Sequence, residues 1–157
     1  MKRGALLFAF NSPKYNYYEM AEHTAKRIEH FLNLPVTVVT DEQSLHAKTP
    51  YQFDSVIIAE PDTTNTRDKQ VWINKGRYQA YELSPYDETL LLDTDYMVNS
   101  NTLNKLFDMP TDFCCHDTTS FLMNPEAAQE VLSVYSFKTL WATVVMFRSE
   151  EHTSELQ

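Results

Sequence analysis

Short apolar runs alternate along this chain with longer stretches of helical spacing. Residues 4–10 are continuously apolar and are closed by Asn11-Ser12-Pro13, the pattern of a buried strand feeding a loop. In residues 17–32 the apolar positions Met20, Ala21, Ala25, Ile28, Phe31 and Leu32 recur at helical intervals. Glu19 and Glu22 lie early and Arg27 late, as the helix dipole favours, and Pro35 is expected to stop the helix. Residues 36–40 and 53–59 read as two more buried strands, ending at Asp41 and at Glu60-Pro61. Residues 61–68 are polar and predict a loop. Residues 69–83 predict a helix that turns Val71, Trp72, Tyr78 and Leu83 towards the core. After a turn at Ser84-Pro85-Tyr86-Asp87 comes the most strongly patterned strand, residues 89–92, running into Asp93-Thr94-Asp95. A short helix through Phe107, capped by Asn99, Ser100 or Asn101, is expected next. Strands at 113–115 and 120–123, a helix over 125–135 and a last strand at 141–147 complete the pattern. Apolar strands interleaved with helices predict an α/β three-layer sandwich around a mostly parallel, Rossmann-like sheet, with no repeat and no second domain.

Composition narrows the partners. The 157 residues carry a formal net charge of −9, which argues against sequence-independent nucleic-acid binding, since that needs a basic footprint. A diphosphate ligand would have to be met by a local cation, either a metal ion or a few placed Arg and Lys. Only two glycines occur, so turns must lean on Asn, Asp, Ser and the seven prolines. Cys114 and Cys115 are adjacent and form no spaced ligand set; two buried thiols in a reducing compartment are expected. The opening apolar run is too short for a signal peptide, and nothing approaches the roughly 20 apolar residues of a membrane span. A soluble cytoplasmic protein is expected. Residues 148–157, RSEEHTSELQ, match the peptide encoded by one frame of a common short-read sequencing adapter. The domain is therefore expected to cover residues 1–147, truncated there, with 148–157 as read-through outside it.

In open α/β sheets ligands gather beyond the carboxyl ends of the strands. Three strands here end in polar residues: Asn11, Asp41, and the Asp93-Thr94-Asp95 triplet. Two carboxylates flanking Thr94 at a strand mouth can share one hard cation, Mg²⁺ or Mn²⁺, together with substrate phosphates. The segment WINKGRYQAYELSPYDETLLLDTDYMV, residues 72–98, resembles the donor-binding core of GT-A fold glycosyltransferases, particularly the glycogenin-like family 8 enzymes. The start, GALLFAFNSPKYNYYEMAEHTAKRI, is similar to that family's first strand and helix. The resemblance implies a glycosyltransferase that moves a sugar from a nucleotide-diphosphate sugar, a UDP-sugar being favoured, to an unknown acceptor. It implies that Asp93 and Asp95 bind the metal and, with Thr94 between them, the donor diphosphate. It implies further that Arg77, with Lys75 beside it, contacts donor phosphate, and that Asn11 and Asp41 sit where the nucleoside is held. The family's downstream His-containing metal-ligand segment has no counterpart before Phe147.

Other readings of the same residues exist. A haloacid-dehalogenase-type phosphatase also carries Asp-X-Asp after an apolar strand, but on an early strand and with Thr or Val where Met97 stands here. A non-catalytic sugar-nucleotide-binding protein would keep the fold without turnover. Asn11 and Asp41 can equally serve only their own turns, and Arg77 can be a solvated helix residue. His116-Asp117 can be a polar strand end, and Tyr15, Tyr17 and Tyr18 can be packing or a stacking surface for a base or sugar.

Overall fold

The computed structural model describes residues 1–45, 51–60, 66–67, 70–71, 73–116 and 141–149. A six-stranded sheet runs through it, in the order β3-β2-β1-β6-β8-β7. Its strands are β1 (Arg3–Phe8), β2 (Val36–Thr40), β3 (Ser55–Ile58), β6 (Glu88–Leu92), β7 (Phe113–His116) and β8 (Trp141–Arg148). A separate pair, β4 (Thr66–Arg67) and β5 (Gln70–Val71), is antiparallel. β1 pairs in parallel with both β2 and β6, and β2 with β3. β8 lies antiparallel between β6 and β7. The expected mostly parallel α/β sheet is the one observed.

Both faces of the central strands are covered, which is why their sequences are dominated by apolar residues on both faces, with the threonines Thr37, Thr40 and Thr89 buried among them. On one face Ala5, Leu7, Val36, Val38, Leu90 and Leu92 pack beneath helix α1 (Tyr17–Leu32), with Val98 and Phe107 beside it. On the other, Leu6, Phe8, Val39, Leu91, Val145 and Phe147 meet Ala80 of the short helix α2 (Ala80–Leu83). Helix α1 starts where Asn16 accepts the Glu19 amide, and it stops before Pro35. Asn33 adopts a left-handed conformation at φ 55° and returns its amide to the Glu29 carbonyl.

Four expectations change. Residues 69–83 are not one helix: β5 is followed by a 3₁₀ helix, Ile73–Gln79, and only then by α2. The inner face falls on Gly76, Ala80 and Leu83, and Tyr78, midway between the first two, points outward and is 69% exposed rather than in the core. The segment through Phe107 is likewise a 3₁₀ helix, Thr102–Asp108, and Asn101 gives it no side-chain cap. The run at β3 belongs to an edge strand, so Val56 and Ile58 stay exposed while their neighbours turn inward. Finally, β8 is an interior strand and extends to Arg148. The Arg148 amide donates to the Asp112 carbonyl and that of Ser149 to the Asp87 carbonyl, so the fold takes in the first two residues of the segment set apart on sequence. The expected strand at 120–123, the helix over 125–135, Trp72, Asp117 and residues 150–157 lie outside the described residues. Among the described residues no helix is long and apolar enough to cross a membrane.

The amino edge of the sheet is closed by the Ser84–Asp87 turn. Tyr86 is buried beneath β1, and its hydroxyl shares a hydrogen bond with Thr37 at 2.8 Å. A methyl group on Gly4 would come within 2.3 Å of that ring, so glycine there is a requirement of close approach. Beside it Glu88, almost wholly buried, pairs with Arg3 at 2.5 Å and with Arg148 at 2.8 Å.

Candidate functional site

The strand order reverses between β1 and β6. The chain moves outward from β1 through β2 to β3, then returns to the other side of β1 as β6. Parallel pairing puts the carboxyl ends of β1, β2, β3 and β6 on one edge, and a crevice opens where the order reverses. Asp93 leaves β6 at that crevice. Its amide donates to the Thr143 carbonyl of β8 at 3.1 Å, and its own carbonyl accepts the Tyr96 amide at 3.1 Å. A four-residue turn, Asp93 to Tyr96, therefore carries the acidic pair. Asp93 is half-buried, Thr94 is buried and Asp95 is exposed.

Arg77 reaches this turn from the 3₁₀ helix. Its guanidinium pairs with the Asp93 carboxylate, at side-chain exposures of 17% and 31%. Burial pushes the Arg77 guanidinium down from its ordinary value, against the opposing charges of Asp93 and Asp95. Burial likewise pushes the Asp93 carboxyl up. Arg77 and a hydrogen bond from Thr143 pull it back, while the like charge of Asp95 adds to the rise. The hard carboxylate oxygens of Asp93 and Asp95 suit Mg²⁺ or Mn²⁺, but no set of three or more candidate ligands occurs among the described residues. An ion here would need water, substrate oxygens or a further residue to complete its shell.

The other expected residues fall beyond β1 and β2. Asn11 accepts the Tyr18 amide through Oδ1 at 2.9 Å, and its own amide donates to Ser44 Oγ at 2.7 Å. Asp41 Oδ1 accepts the Ser44 amide at 2.6 Å. Both are engaged locally, and the buried Ser44 ties the two strand ends together. Lys75 has its backbone in the 3₁₀ helix, and its side chain lies outside the described residues, as does that of His116. Of the tyrosines, Tyr18 packs in the core against Phe53, whereas Tyr15 is exposed with its ring 5.9 Å from that of Tyr17. Tyr17 is close enough to Asp95 that the carboxylate, after burial and Tyr15, helps push its phenol up. Cys114 and Cys115 are free and partly exposed rather than buried.

Sequence reasoning passed over Thr24 and Arg27. From α1, the Thr24 hydroxyl donates to the Thr94 carbonyl at 2.6 Å, and Arg27 Nε donates to the Val98 carbonyl at 2.5 Å. Their spacing on one helix face was visible, but nothing local pointed it at a turn 70 residues away.

Comparison with solved structures places this architecture among glycosyltransferases. The chain is similar to the galactosyltransferase LgtC, crystallised with donor and acceptor sugar analogues, at 15% identity and a TM-score of 0.58, covering 92% of this chain and 57% of that one. It is similar to the glycosyltransferase GlyE of Streptococcus pneumoniae TIGR4 at 13% identity and a TM-score of 0.56, covering 98% and 36%. Mouse xyloside xylosyltransferase 1 matches at 10% identity and a TM-score of 0.55, covering 94% and 67%. At such identities the likeness is one of fold, the GT-A Rossmann-like fold. The chain spans little more than half of LgtC and about a third of GlyE. No family model and no curated protein matches the sequence.

Proposed function

We propose that this chain is the donor-binding part of a glycosyltransferase that uses a nucleotide-diphosphate sugar. The observation that carries the reading is the acidic turn, Asp93 and Asp95, at the crevice where the strand order of a GT-A sheet reverses. A diphosphate bears charge that an acidic protein repels, so the site must first acquire positive charge. Asp93 and Asp95 would hold Mn²⁺ or Mg²⁺, which when bound neutralises charge on the departing diphosphate. Arg77, already at the site, donates charge-assisted hydrogen bonds to donor phosphate, a role that we extend to Lys75, two residues before it in the sequence. Thr94 keeps the turn packed while its neighbours face the ligand. Asn11 and Asp41, beyond β1 and β2, lie on the side where the nucleoside would rest, and Tyr15, exposed beside the half-buried Tyr17, offers it a stacking surface.

The test is calorimetric titration of the chain with UDP-sugars, with and without Mn²⁺. Metal-dependent donor binding is expected, greatly weakened in Asp93→Asn and Asp95→Asn. Arg77→Ala is expected to weaken donor binding while Mn²⁺ still binds. Donor binding that is equal in the parent and both Asp variants would remove the assignment. Release of phosphate from aryl phosphates would favour the phosphatase reading instead.

A further inference from the structure

Asp93 and Asp95 occupy the first and third positions of a four-residue turn closed by the Tyr96 amide on the Asp93 carbonyl. Such turns exist in two forms that differ by a flip of the central peptide, here the Thr94–Asp95 bond. In the flipped form the third residue takes a positive φ, near +80°. Asn33 is the one non-glycine with positive φ among the described residues, so Asp95 sits in the unflipped form. Aspartate tolerates the left-handed region better than most residues, so the turn's own sequence excludes the flip only weakly. A flip would leave the Cα positions nearly fixed but bring the Thr94 carbonyl oxygen against the Asp95 Cβ, a crowding that the Asp95 side chain relieves by shifting from its place beside Asp93.

The atom that reverses direction in a flip is the Thr94 carbonyl oxygen, and that oxygen accepts the Thr24 hydroxyl at 2.6 Å. Both residues are buried, with Thr24 3% and Thr94 6% exposed. The same hydroxyl lies 3.5 Å from the Tyr96 carbonyl. One helical step on, Arg27 holds the Val98 carbonyl. Ala21, Ala25 and Ile28 seat α1 in the core, so the donor does not follow the peptide if it turns. A flip would take the Thr94 carbonyl off the buried Thr24 hydroxyl and leave that hydroxyl only its long contact to Tyr96, at the cost of a hydrogen bond.

We propose that Thr24 is a positioning residue, whose hydroxyl holds the Thr94–Asp95 peptide in the orientation that lets Asp93 and Asp95 share one divalent ion. The proposal rests on the reading of that pair as ion ligands, and it assigns a role to α1 that the pair alone does not require. Mn²⁺ affinity is measured on the full chain without donor, from the spectrum of free Mn²⁺ in a paramagnetic resonance titration, with thermal melting run in parallel. Thr24→Val keeps shape and removes the donor, and about a tenfold loss of affinity is expected, the size of one unmade buried hydrogen bond. Thr24→Ser restores the hydroxyl and should bind within about twofold of the parent, since the donor group is the same. A folded Thr24→Val that binds Mn²⁺ like the parent overturns the proposal and leaves the ion reading standing. Equal losses in the Val and Ser variants overturn it too, because packing rather than the hydroxyl would then be responsible. If the Val variant does not fold, Thr24→Cys supplies a weak donor of similar size and should bind less tightly than Thr24→Ser; equal affinities would overturn the proposal. A parent that binds no Mn²⁺ overturns the ion reading and this proposal with it.

Discussion

Arg148→Met should destabilise the fold by about 3 kcal/mol, the low end of the cost of removing one partner from a buried ion pair. The arginine donates through Nε to Glu88 at 2.8 Å and through Nη2 to the carbonyls of Phe107 and Met109 at 3.0 and 3.1 Å. Nη1 donates to the Thr111 carbonyl. Methionine retains the length of the stem and removes every one of these donors. Glu88, 2% exposed, would keep only Arg3, whose side chain is 45% exposed and so a weaker partner. Arg3 remains in place and Met109 is exposed enough to be rehydrated, which is why the low end applies. For a domain of this size the loss lowers the melting temperature by about 6–12 °C. Urea unfolding followed by circular dichroism measures it, with an unchanged slope showing that the unfolded state is the same. Removing residues 150–157, the remainder of the adapter-like tail, should shift stability by less than about 0.5 kcal/mol, as removal of a polar chain terminus generally does. An Arg148→Met variant within about 0.5 kcal/mol of the parent would refute the account of the Glu88 cluster.

Three further outcomes are expected. Gly4→Ala should cost about 3 kcal/mol or more in urea unfolding, because the new methyl group meets the Tyr86 ring at 2.3 Å and the ring has nowhere to move. Tyr86→Phe should cost about 1 kcal/mol by the same measurement, the value of the hydrogen bond it loses to the buried Thr37. Burial alone would push the Glu88 carboxyl up, but hydrogen bonds from Arg148 and Arg3 outweigh it and hold the group below the ordinary carboxylate range. The stability this confers is complete above the ordinary carboxylate range and is lost as pH falls through the lowered value, so Glu88→Gln should flatten the acid limb of stability against pH below that ordinary range.

Much of the frame is visible in residue order alone. Helix α1 runs over the residues its spacing predicts, because a 16-residue amphipathic stretch with a capping Asn decides locally. β1, β2 and β6 are legible for a similar reason, as burial on both faces leaves runs of apolar and β-branched residues without the alternation of a half-exposed strand. The apolar run of β3 looks the same, yet it lies at the sheet edge; neighbour identity, not composition, separates an edge from a centre. Residues 73–83 fail differently, since Gly76 and the approach of Arg77 to Asp93 favour a tighter turn than the hydrophobic spacing implies. At the site, the acidic pair stands out because it interrupts the strongest strand. Thr24, Ser44 and Arg27 do not, since a Thr or Arg on a helix gives no sign of the distant carbonyl it will meet.

The place of β8 governs when the site can come into being. Leu92 of β6 pairs with Val144, so the outer edge of β6 waits for a segment made about 50 residues later, several seconds at ordinary rates of synthesis. Until then β3, β2, β1 and β6 can assemble as a four-stranded sheet ending in an apolar edge, Thr89-Leu90-Leu91-Leu92, whose β8 partner has not been made. Such an edge pairs readily with another nascent chain. The turn that carries Asp93 shares the delay, because its amide is fixed by the Thr143 carbonyl. In the ribosome's time frame the acidic turn is therefore among the last parts to set, and chains released before residue 141 should aggregate through β6.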